Sequence, residues 1–153
     1  MKFLKADKGK CHFQLAAREK KLLFQILRLY PVIPAQYQRL SKTEDQSENE
    51  ELLEEALAEQ RAENRKQLLA WLKAKSRFRK NKKGWRFAIP AARMDWLLQV
   101  LNDVRVGSWV AMGSPDGPEK IFAMLNKRNA AHFWAMEIAG HFQGVMLEAL
   151  RAG

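Results

Sequence analysis

Apolar and polar residues alternate from Lys2 to Ala6 and again from Cys11 to Leu15, with Asp7-Lys8-Gly9-Lys10 between them. A period of two predicts strands, and Asp and Gly favour turns, so a β-hairpin is expected. Alternation groups Phe3 with Lys5, and Cys11 with Phe13 and Leu15. The pattern then changes to three- and four-residue steps. Leu22, Leu23, Ile26, Leu27 and Tyr30 predict a helix over Ala16–Tyr30, with Glu19 at its positive end and Pro31 closing it.

Ser41–Asn49 is polar and acidic and predicts a flexible connection. Glu50–Arg79 is rich in helix formers, with Glu at the front and Lys/Arg at the back. Leu53, Leu57, Leu68, Trp71 and Leu72 fall on one arc, which Gln60, Arg61, Asn64 and Arg65 interrupt. Either two helices meet there, or one long helix leaves the body of the protein. A basic turn follows at Asn81–Gly84, so residues 50–84 form a long charged helix and its turn.

Trp85–Ile89 predicts a third strand, and Pro90 suits the first position of a helix running to about Met112. Gly113–Pro118 is a cluster of turn residues, followed by a short helix at Glu119–Leu125 and a last helix from about Asn129 to Leu150. There is also an internal echo. At an offset of 74, Phe13, Ala17, Leu23, Gln25 and Leu27 meet Phe87, Ala91, Leu97, Gln99 and Leu101. Two similar strand–helix units would share one small sheet. The whole, residues 1–153, reads as a single mainly helical α+β domain with an N-terminal hairpin, a third strand and one long charged helix.

Charge changes this picture more than composition does. Apolar residues at 47% and charged residues at 29% are ordinary for a globular chain. The net charge of +10 is unevenly spread. Residues 1–40 carry +7, 41–64 carry −7, 65–93 carry +11 with no acid at all, and 94–153 carry −1. The basic block holds Lys73, Lys75, Arg77, Arg79, Lys80, Lys82, Lys83 and Arg86, with Phe78, Trp85 and Phe87 interleaved. Phosphate attracts such a block whatever the base sequence, and exposed rings could stack on unpaired bases. The plainer expectation is a solvated helix end with Trp85 and Phe87 facing the core. The acidic 44–63 and basic 65–86 segments could also pair between two copies, giving a homodimer through the charged helix.

Other chemistry is sparse. Glu137, His141 and Glu148 make a polar stripe on the otherwise apolar last helix, beside Gly140 and Gly144. A carboxylate and an imidazole four residues apart can share a proton or a metal, yet two ligands do not close a site. Asn102, Asp103 and Arg105, with Trp109 one turn on, interrupt an apolar helix and predict a polar network or a partner pocket. Cys11 and His12 are adjacent, so a strand would point them to opposite faces, away from each other. No phosphate loop, GxSxG or CxxC is present, and no cofactor is implied. No apolar run approaches the roughly 18 residues of a membrane span, and Met1–Lys10 is too lysine-rich for a signal peptide, so a cytoplasmic protein is expected.

The segment Trp96-Leu-Leu-Gln-Val-Leu-Asn-Asp-Val-Arg-Val106 resembles the tryptophan and Leu-Asn-Asp-Leu-Arg-Leu core of an uncharacterised bacterial domain family, often encoded beside a ClpS-type protease adaptor. Phe3, Gly9, Phe13-Gln-Leu15, Glu19 and Leu22-Leu23 resemble that family's opening hairpin and helix, and Phe133-Trp134 to Leu147 its final helix. The resemblance spans about residues 1–30 and 85–150, and residues 41–84 depart from it. It implies a fold and no established activity.

Three functions follow as expectations. The first is a non-enzymatic interaction or regulatory module, holding a protein partner through the charged helix and the Asn102/Asp103/Arg105 region. The second is RNA or DNA binding through residues 65–93. The third, a small hydrolase or metal enzyme on Glu137 and His141, has no constellation behind it.

Overall fold

The computed structural model describes residues 1–33 and 48–152. Two antiparallel hairpins and five α-helices account for them: β1 Lys2–Asp7, β2 Lys10–Leu15, α1 Ala17–Arg28, α2 Glu48–Lys73, β3 Phe78–Asn81, β4 Gly84–Pro90, α3 Ala91–Ala111, α4 Pro118–Met124 and α5 Ala130–Arg151. The fold is α+β and mainly helical. Its sheet has the order β1-β2-β4-β3, so the inner strands are the second strand of each hairpin.

The first hairpin turns as its sequence dictates. Lys8 and Gly9 both take positive φ, 48° and 70°, the backbone that matches the twist of two-residue hairpins. β2 then buries Cys11, Phe13 and Leu15 on one face. β1 corrects the expected grouping of Phe3 with Lys5. A bulge falls between them, so Phe3 pairs with Phe13 on the core side while Lys5 pairs with His12 on the opposite face.

α1 follows at once. Ala16 donates its backbone N–H to Glu19 Oε2 at 2.7 Å, and Leu23, Ile26 and Leu27 face the core. Glu19 also meets the Met1 ammonium.

α2 is one helix. Every residue from Glu48 to Gln60 is exposed, and only Leu68 and Trp71 are buried, while Glu54, Leu57 and Ala58 line a groove with Pro31–Ile33. The polar residues that interrupt the apolar arc mark where it lands. Asn64 donates to the Tyr30 hydroxyl at 3.3 Å and accepts from Trp96 Nε1 at 3.3 Å, while Arg65 donates to the Tyr30 carbonyl at 2.8 Å. Of the expected connection at 41–49, Glu48 and Asn49 belong to the helix, and 41–47 lie outside the described residues.

The expected helix to Arg79 is also corrected. It stops at Lys73, a short 3₁₀ turn spans Lys75–Arg77, and Phe78 starts a fourth strand. Local propensity favours continuing the helix by well under 1 kcal/mol per residue, and burying one phenylalanine contributes about 1.5–3 kcal/mol. Phe78 is 6% exposed among Phe24, Trp71 and Phe87, with ring centroids 5.0–5.3 Å away. Burial wins.

Trp85–Ile89 lies within β4 and pairs with β2, as Phe13 opposite Phe87, His12 opposite Ala88 and Gln14 opposite Arg86. The two strand–helix units of the internal echo thus share one sheet. Phe13 and Phe87 stack with centroids 5.1 Å apart and planes 19° apart. α3 runs straight on from β4 and packs against α5, burying Leu97, Val100, Leu101 and Val104 against Ala135, Ala139, Phe142 and Met146. These helices and α1 occupy the Phe13/Phe87 side of the sheet.

Candidate phosphate-binding face of the sheet

The other side of the sheet carries the partners that strand alternation turns away from the core. Pairing puts Lys2, Gln14, Arg86 and Arg79 in one row across all four strands. Lys5, His12 and Ala88 make the next row, then Asp7, Lys10 and Pro90. Lys2, Lys5, Lys10, Arg79 and Arg86 are exposed, and His12, Gln14 and Ala88 are half-buried. Asp7 is bonded to Lys5 at 3.0 Å, which holds its carboxyl below the usual range.

A hollow of about 530 Å³ opens on this face. Lys10, His12, Ser76, Arg77, Arg79 and Arg86 line it with the backbone side of β4, and no carboxylate does. Two features of its chemistry stand out. Arg79 and Arg86 sit directly opposite each other on β3 and β4, a like-charge pair that costs stability in an empty sheet. Arg77 stacks 5.4 Å from the Trp71 ring, and its Nε is buried with no hydrogen-bond partner among the described residues. Burial, and then the neighbouring Arg93, push its guanidinium pKa down. A bound oxyanion would offset the like-charge pair, since guanidinium groups grip phosphate oxygens through paired N–H donors.

The eight basic-block residues are therefore spread out. Arg77, Arg79 and Arg86 converge on the hollow. Lys82 and Lys83 form the tip of the second hairpin, Lys73 ends α2, and Lys75 lies in the 3₁₀ turn. Lys80 pairs with Trp85 and belongs to the other face. The interleaved rings are not a stacking platform: Phe78 and Phe87 are buried, and Lys20 Nζ sits 3.2 Å above the centroid of half-buried Trp85. Sequence reasoning missed Lys5, Lys10 and His12. The signal that finds them is the 74-residue echo, which places β2 beside β4.

The second set of candidates is dispersed as well. Asn102 is exposed, with Oδ1 3.5 Å from Gln143 Nε2. Arg105 lies over Gly140, where an added Cβ would stand 3.5 Å from its Nε. Trp109 Nε1 donates to the Pro115 carbonyl at 3.1 Å. Glu137 and His141 are exposed on α5. Among the described residues, no group of three His, Cys, Asp or Glu side chains is placed to hold a metal, and no helix is long and apolar enough to cross a membrane.

Asp103 alone of the six lines a second groove, of about 610 Å³, between α2 and α3 beside Arg61 and Asn64. Burial raises its pKa, and Arg61 pulls the other way. Burial penalises the ionised form, so this contribution to stability is full below the unfolded-state pKa and lost as pH rises through the folded one. Asp103→Asn is expected to raise Tm at neutral pH, with the gain vanishing in strong acid. Thermal melts at both pH values check this, and a lower neutral Tm would mean that Arg61 outweighs burial.

In comparisons with known proteins, no family model, no curated protein and no solved structure matches this chain.

Proposed function

We propose that this protein binds nucleic acid, holding a phosphate backbone on the open face of its sheet. The observation that carries the reading is the Arg79–Arg86 pair, set across β3 and β4 in a hollow with Lys10 and Arg77 and without a carboxylate in its lining. Strands hold these side chains at fixed spacing, about 4.8 Å between neighbours, so the cations are placed before any ligand arrives. Contacts of this kind are independent of base sequence and depend on salt through released counterions.

Fluorescence anisotropy with labelled oligonucleotides over a salt series tests it. Engagement of about five phosphates gives a log–log slope near −3.5 for a single strand and near −4.5 for a DNA duplex. No binding at roughly physiological salt, or a slope shallower than about −1, overturns the reading.

A second reading has its own observation. On the first half of α2, Leu52 and Leu53 are 64% and 61% exposed between glutamates, a surface suited to a protein partner. It becomes the leading reading if nucleic acid does not bind.

A further inference from the structure

Resting on that reading, we infer that the nucleic acid is double-stranded, and that the sheet meets its two antiparallel backbones with equivalent cations from its two halves. The register of β2 and β4 carries the argument. Phe13 pairs with Phe87, the residue 74 positions on, and the pairs to either side are His12 with Ala88 and Gln14 with Arg86. Antiparallel neighbours related in this way have a pseudo-twofold axis through the Phe13/Phe87 pair, perpendicular to the sheet.

The same offset carries Lys5 onto Arg79 and His12 onto Arg86. The register agrees independently: Lys5 pairs with His12 in the first hairpin, and Arg79 with Arg86 in the second. Each half of the open face thus presents a matched pair, one member on its outer strand and one on its inner strand, and the first half adds Lys2 and Lys10. The match is close without being complete: an imidazole stands where the other half has a guanidinium, and Asp7, bonded to Lys5 at 3.0 Å, stands where the other half has Asn81.

Symmetry selects the ligand. A single strand has a direction and no twofold axis, so it would use the two halves differently. The strands of a duplex are antiparallel and related by twofold axes across its grooves, and twofold protein surfaces dock on such axes. Spacing agrees: β1 and β3 are three strand intervals apart, about 14 Å, close to the roughly 12 Å width of the B-form major groove. A single-strand site would also need exposed rings, and Phe13, Phe78 and Phe87 all face the core.

The test uses the full chain with a DNA duplex, an RNA duplex and the separated strands of each, at roughly 0.1 M salt. At least one duplex is expected to bind about tenfold more tightly than its own strands. Lys5→Gln and Arg79→Gln should each weaken duplex binding by about eightfold, the value of one phosphate contact at that salt. Both side chains are exposed, so circular dichroism melts should show both variants folded. Tighter or equal binding of single strands overturns the duplex inference and leaves the nucleic-acid reading standing. A loss with Arg79→Gln and none with Lys5→Gln overturns the two-strand contact. Failure of every oligonucleotide to bind removes both readings together.

Discussion

Neutralising Arg79 and Arg86 together, as R79Q/R86Q, is expected to weaken binding of nucleic acid by about 60-fold at roughly 0.1 M salt, from two lost contacts of about eightfold each. The log–log salt slope should become shallower by about 1.8 for B-form DNA. Folding should move the opposite way. The two guanidinium groups are direct cross-strand partners, and like charges so placed cost about 0.2–1 kcal/mol. Removing both is expected to leave Tm unchanged or slightly raised. Anisotropy and thermal melts on the same preparation check the pair of outcomes. A variant that binds as before would show that the ligand, if any, sits elsewhere. A variant that loses binding only because it has lost Tm would show that the two arginines serve the fold.

The largest effect on stability is expected at Gly84. Neither Lys82 nor Lys83 takes a positive φ, so the left-handed excursion of the second hairpin falls on Gly84, at 121°. An added Cβ there would stand 2.3 Å from the Leu15 carbonyl oxygen and 3.1 Å from the Ala16 Cα. Both are backbone atoms of the neighbouring strand and its exit, and cannot swing aside as a side chain would. Strained backbone costs about 1–3 kcal/mol and overpacking about as much again, so Gly84→Ala should lose about 3 kcal/mol or more. Urea denaturation measures it. Gly9 is the control: its φ is 70°, yet nothing lies within 4 Å of an added Cβ, so Gly9→Ala should lose only about 1 kcal/mol. Equal losses at the two glycines would mean that backbone conformation, and not the contact with β2, sets the cost.

Which parts of the molecule could be read from its sequence depends on how local their causes are. The first hairpin was legible because Asp7-Lys8-Gly9-Lys10 carries its own turn geometry. The helix after Pro90 was legible for the same kind of reason. β3 was not. Phe-Arg-Lys-Asn is four residues long, comes one short turn after a helix of twenty-six, and becomes a strand only because Phe78 finds a place beside Phe87 and Trp71. The basic block was visible as charge, while its division between hollow, hairpin tip and opposite face follows from cross-strand register. Strand alternation alone puts Lys5 with Phe3, and the bulge after Phe3 reverses which face it joins. Asn64 and Arg65 looked like a break in a helix. They are its anchor, through hydrogen bonds to Tyr30 and Trp96, far away in sequence.

The exposed first half of α2 has an electrical consequence. From Glu48 to Glu63 the helix carries seven glutamates and one arginine over about 24 Å, at 1.5 Å per residue. The body to which it is fixed carries the arginines of the sheet. The molecule is therefore a permanent dipole as well as a net cation. In the field of a polyanion, the proposed ligand, such a dipole would feel a torque before it made any contact, its acidic end repelled. Encounters with it would begin already sorted by orientation, which would raise the fraction that lead to capture, and dissolved salt would weaken that sorting along with the attraction itself.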